Sequence, residues 1–192
     1  MADRTVQRSM TVPLTAFAVG AVVALLAGVF GRVHDPTQQG ATTLGYDTVI
    51  DMKTVVATPI LVLAGLQLLG ALWIFGKFGR PAPSWVRPAH RALGTVTLLL
   101  TAFVAYHCLR TLGLQVGTLP DGGEVPTRTV VHGVLGCLVL GAVVVKLVAV
   151  RARRAPGWFL PLAGGLLFTL LVLTVLTSAV WYLAEEGWPS RG

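Results

Sequence analysis

The sequence predicts an all-α integral membrane bundle of five transmembrane helices, with the N-terminus cytoplasmic and the C-terminus outside. Three observations carry that expectation. Of 192 residues, 54% are hydrophobic and 12% charged, with a mean hydropathy of +0.75. A soluble domain carries roughly 25% charged residues, so this chain lacks the polar groups to cover a globular surface. Five apolar runs approach the ~20 residues that a helix needs to cross a bilayer, and the basic residues gather at alternate connections. The composition excludes a water-soluble enzyme and a disordered or fibrous chain.

The runs are 12–30, 54–75, 89–109, 129–150 and 158–183. The first follows Arg4 and Arg8 and so imitates a signal peptide. Its core exceeds the usual length of about 7–15 residues and no Ala-x-Ala site follows Phe30, which predicts a retained helix. Pro59 and Pro161 in the second and fifth runs are placed within a turn or two of a helix start, where a missing N–H costs least. No run alternates with period two, as barrel strands do. Trp158 at one end of the last run, and Trp181, Tyr182 and Trp188 at the other, read as interfacial belts. The connection Gly31–Lys53 is rich in Gly, Thr and Asp and is expected to cap the outer face. No connection is long enough to form a domain of its own, so 1–192 reads as one membrane domain.

Orientation follows from charge. Arg4, Arg8, Lys77, Arg80, Arg87, Arg91, Arg151, Arg153 and Arg154 place nine of the 15 basic residues on one side, against the single acid Asp3. The other side holds Arg32, Lys53, Arg110, Arg128 and Arg191 beside seven acids: Asp35, Asp47, Asp51, Asp121, Glu124, Glu185 and Glu186. The positive-inside rule then makes the N-terminus cytoplasmic and the C-terminus external. The net charge of +7 is thereby a topology signal and gives no support to nucleic-acid binding.

Histidines carry the chemistry, since ionisable residues within a bilayer are functional candidates by default. His107 falls in the last turn of the third run and His132 in the first turn of the fourth. Sequential helices pack as antiparallel neighbours, so the two imidazoles are expected at matched depth, as bis-histidine haem ligation requires. Gly136, four residues below His132 on its face, leaves room for a porphyrin, and Gly133 thins the helix further. Arg110, Arg128 and Lys53 lie at the outer boundary, where propionates would meet them.

A second, inner site would draw on His90 and Lys146. His90 has Gly94 four residues on, but no histidine partner on the cytoplasmic side, and a protonated lysine has no lone pair for iron. Snorkelling to the interface explains Lys146, so one haem is expected rather than two. His34 is expected exposed in the outer loop, and Gln67 as a hydrogen-bonding group between helices. Cys108 and Cys137 fall at different depths and read as apolar filler. No buried carboxylate and no inverted-repeat signature are expected, which argues against a transporter. Walker, GxSxG, CxxC and CxxCH patterns are absent, which leaves hydrolase, ATPase and c-type haem readings unsupported.

The runs Gly31-Arg32-Val33-His34-Asp35-Pro36, His90-Arg91, Ala105-Tyr106-His107-Cys108-Leu109 and Val131-His132-Gly133-Val134-Leu135-Gly136-Cys137 resemble a family of uncharacterised membrane proteins from high-GC Gram-positive bacteria, over nearly the whole chain. More loosely, the His-bearing helices look like small b-type cytochromes, which commonly hold two haems with four histidines. This chain departs from them by having Lys146 where an inner histidine would stand. The expected function is electron transfer through haem b at the outer membrane face, with a quinol or an extracytoplasmic redox protein as partner. The alternative is a non-redox subunit that scaffolds a larger membrane complex, its histidines structural.

Overall fold

The computed structural model describes all residues except 1, 38, 41, 119–121, 153–154 and 191–192, and side chains from Met10 onward. The charges of Asp3, Arg4, Arg8, Asp121, Arg153, Arg154 and Arg191, used above for orientation, lie outside the described side chains. The described chain is helical: α1 (Ala2–Val33), α2 (Val49–Ile74), α3 (Val86–His107), α4 (Thr127–Arg151), α5 (Phe159–Val175) and a short α6 (Trp181–Glu185). Two π-helical turns, Cys108–Leu112 and Leu176–Val180, prolong α3 and join α5 to α6. Five helical stretches are long and apolar enough to cross a membrane: Met10–Val33, Val49–Ile74, Val86–Leu112, Thr127–Arg151 and Phe159–Glu185. They match the five apolar runs in number and order, each with displaced ends.

The displaced ends have local causes. α2 begins at Val49 rather than at residue 54 because Thr48 caps it: the Asp51 N–H donates to Thr48 Oγ1 at 3.0 Å, as an N-cap hydroxyl does. Pro59 therefore falls well inside α2 and not near its start, where it removes one intrahelical bond. Pro161 keeps its expected place in the first turn of α5. α3 runs past His107 because the chain widens into a π turn, closed by the Gly113 N–H on the Cys108 carbonyl at 3.0 Å. It stops at Gly113, whose φ of +68° suits glycine.

The helices fall into two compact units. The first comprises Met1–His34 and Leu114–Thr174, with α4 packed against α1 and α5. Along α1 and α4, small residues recur every fourth position: Ala16, Gly20, Ala24 and Gly28 on one, Cys137, Gly141, Val145 and Ala149 on the other. A Cβ on Gly20 would lie 2.8 Å from the Gly141 carbonyl oxygen, and one on Gly141 would overlap the Gly20 carbonyl oxygen. Backbone therefore meets backbone, which is how helices gain dispersion contact in lipid. Phe159 and Ala163 of α5 complete this core beside Ala16, Val145 and Ala149.

The second unit comprises Asp35–Gly113 and Val175–Gly192. Here α2 lies between α3 and the C-terminal segment. Its register with α3 is set by reciprocal fits. The His90 ring rests over Gly70, where a Cβ would come 3.1 Å from Nδ1, and the Gln67 amide rests over Gly94. Gln67 Nε2 donates to the His90 carbonyl at 2.7 Å, the interhelical bond expected of it. On the other side of α2, Ala57 and Leu61 pack against Val175 and Ala179.

Candidate functional site

The eight residues singled out in the sequence divide evenly between the units: Lys53, His90, His107 and Arg110 belong to the second, and Arg128, His132, Gly136 and Lys146 to the first. His107 ends α3 with 1% of its surface exposed. Its Nδ1 lies 3.0 Å from the Phe103 carbonyl oxygen one turn earlier. A carbonyl only accepts, so Nδ1 carries the proton, and in the neutral ring the lone pair is on Nε2. That Nε2 is buried and has no hydrogen-bond partner. The Phe103 and Tyr106 rings flank the imidazole at 4.6 and 5.2 Å between centroids. A Cβ on Gly40 would come 3.4 Å from His107 Cδ2, so the 35–48 connection covers the edge of the ring beside Nε2. Tyr46 and Val49 anchor that connection against Met52 and Phe103, and the Thr37 N–H donates to the Arg110 carbonyl at 3.4 Å. Thr37 and Gly40 of this connection thus lie against the end of α3.

His132 is held in the same tautomer by a different helix. Its Nδ1 lies 3.1 Å from the Thr174 carbonyl oxygen of α5, which places the ring lone pair on Nε2. Four residues on, Gly136 meets no atom within 4 Å of where a Cβ would stand. Gly133 differs from expectation, because the Leu114 side chain fills the space over it. Its missing side chain serves packing within the unit. Arg128 and Lys53 are half-buried and Arg110 is exposed.

At the inner candidates, His90 is engaged over Gly70, and the glycine expected to open space beside it, Gly94, is covered by Gln67. Lys146 Nζ lies against α5, 3.0 Å from where a Cβ of Gly164 would be. His34 is half-buried rather than exposed: Nδ1 lies 2.7 Å from the Phe30 carbonyl oxygen, and its ring stacks on Phe30 at 4.4 Å. Both cysteines are free thiols, and Cys137 fills the α1–α4 contact beside Gly28.

One expectation is corrected outright. Asp51, read as an outer-loop acid, sits in the first turn of α2 with 9% of its surface exposed, so an apolar span does hold a buried carboxylate. Its Oδ1 accepts from the Tyr182 hydroxyl and its Oδ2 from the Thr48 hydroxyl, both at 2.6 Å. The signal was present: Thr48-Val49-Ile50-Asp51 is a cap followed three residues on by an acid, which marks a helix start. Tyr182 could not be paired with it from sequence, being 131 positions away.

This architecture defines a helical protein with five helices long and apolar enough to cross a membrane. The chain belongs to the family of unknown function DUF6529, whose model matches residues 10–190. No curated protein and no solved structure matches it. Among the described residues, no three His, Cys, Asp or Glu side chains converge as a metal-ion cage requires; axial ligation of haem draws on two.

Proposed function

We propose that this is a b-type haem protein of a bacterial cytoplasmic membrane, N-terminus inside, that passes single electrons at the outer face. The observation that carries the reading is His107, a buried imidazole whose Nδ1 proton is committed to the Phe103 carbonyl while its Nε2 has no partner. A ligating histidine is held in this way, its second nitrogen donating to a carbonyl that fixes tautomer and ring orientation. The Thr174 carbonyl fixes the same tautomer of His132, the proposed second axial ligand. Gly136 leaves space for a ring edge, and Arg110, Arg128 and Lys53 supply cations for propionates.

Haem, when bound, supplies a one-electron iron couple; the chain supplies ligation, a low-dielectric surround and charge compensation, all of which tune potential. A quinol or an extracytoplasmic redox protein fits as partner. The inner candidates support one haem, since Gln67 covers Gly94 and Lys146 lies against Gly164. Absorption spectra of the purified protein test the reading. His107→Ala and His132→Ala should each abolish or greatly weaken a low-spin haem spectrum, while His34→Ala leaves it intact. A wild-type spectrum in both ligand variants, or a colourless protein after haem-replete expression, overturns it in favour of a non-redox subunit. A pyridine haemochrome ratio near two would overturn the single haem.

A further inference from the structure

We propose that the turn between α2 and α3 is a binding site for the phosphodiester headgroup of an anionic phospholipid. Lys77, Arg80, Arg87 and Arg91 are all exposed there, and the sequence contains no Asp or Glu between Met52 and Pro120 to offset them. Interleaved with these cations are the exposed rings of Phe75, Phe78 and Trp85, the last 62% exposed. Gly76 and Gly79, with φ of +73° and +69°, turn the chain sharply enough for Phe78 to fold back onto Trp73. Trp85 closes on Trp73 from the α3 side, edge to face at 6.1 Å. At the centre of this aromatic cluster, the Trp73 indole N–H is buried without an acceptor.

Each part matches one requirement of such a ligand. Phosphate oxygens take charge-assisted hydrogen bonds from lysine and arginine, and a headgroup oxygen that reached the Trp73 indole N–H would satisfy its orphaned donor. Aromatic rings among cations suit the boundary where acyl chain gives way to headgroup. The turn directly links two apolar spans, which holds it at that boundary. A soluble acidic partner would leave the exposed phenylalanines and Trp85 without an apolar counterpart.

The test uses the full-length protein in detergent, equilibrated with equimolar phosphatidylglycerol and phosphatidylcholine and washed, with retained lipid quantified by mass spectrometry. Wild type should retain phosphatidylglycerol in several-fold preference. The double variant Arg80→Gln/Arg87→Gln should bring the ratio near one. Trp73→Phe, which keeps a ring and removes the donor, should lower it, and Arg151→Gln at the end of α4 should not. The proposal fails if the preference survives the double variant or Trp73→Phe. It fails too if Arg151→Gln lowers the ratio equally, which would mean a general effect of basic charge. Displacement of the lipid by excess inorganic phosphate would assign the site to a free anion instead. None of these readouts depends on haem.

Discussion

Each unit places one helix between two neighbours, yet the two are held by opposite means. In the first, α4 meets α1 through glycine and alanine, with carbonyl oxygens so close that a single methyl group would collide. In the second, α2 is tied to α3 by the Gln67 bond to the His90 carbonyl, and to the C-terminal segment by the Tyr182 bond to Asp51. Close packing is unforgiving of added volume and indifferent to polarity. Hydrogen bonding tolerates volume but requires that both partners stay. In lipid, where apolar burial between helices gives no advantage over tails, these are the two devices available.

Added volume should divide the units most sharply. Gly141→Leu should destabilise the first unit by about 3 kcal/mol, because backbone on the facing helix cannot move aside. Gly136→Leu, five residues earlier where no atom lies within 4 Å, should leave stability nearly unchanged. Unfolding of the reconstituted protein by increasing denaturing detergent measures both, and equal losses would mean that α1 and α4 are not in close contact.

Removal of a partner should act in the second unit. Tyr182→Phe should cost about 2 kcal/mol, the scale of a hydrogen bond to a charged acceptor. Asp51→Asn should cost less on its own, and in a double-mutant cycle the two changes should be strongly coupled. Additive losses would show that the short Tyr182–Asp51 contact contributes nothing of its own. The smallest effect is expected for Gln67→Leu, about 0.6 kcal/mol, typical of a hydrogen bond between membrane helices. The same unfolding assay reads it, and a loss as large as that for Tyr182→Phe would mean that Gln67 does more than bridge two helices.

The sequence discloses the two means unevenly. Five spans are legible because hydrocarbon thickness imposes a length and because charge collects in the connections. Ala16, Gly20, Ala24 and Gly28 are plain in the sequence at intervals of four, but a small-residue stripe does not name its partner helix. Asp51 shows the opposite failure. Its charge pushes the apparent start of α2 inward to residue 54, although the Thr48 cap and the Tyr182 hydroxyl let a carboxylate sit within the helix. Of the candidate site, the residue types and Gly136 are legible. The carbonyls that fix each imidazole tautomer belong to backbone and carry no signature, and the π turn after His107 has none either. Gly94 shows how one spacing serves two purposes, since the same missing side chain that suggested a porphyrin slot seats the Gln67 amide.

The π turn at Leu176–Val180 makes Tyr182 depend on a count of residues as well as on their kind. Such a turn holds one residue more than the α-helical turn it replaces. Each residue of α-helix turns the chain by about 100° and advances it 1.5 Å. Were the same residues to run as regular α-helix through this stretch, every apolar position would still be apolar, but Tyr182 would be carried a quarter-turn or more around the axis, away from Asp51. Point substitutions in this stretch change what the helix offers to its surroundings. A single-codon deletion within it would remove the extra residue, let the stretch close as regular α-helix and leave the phenol facing the carboxylate at the start of α2.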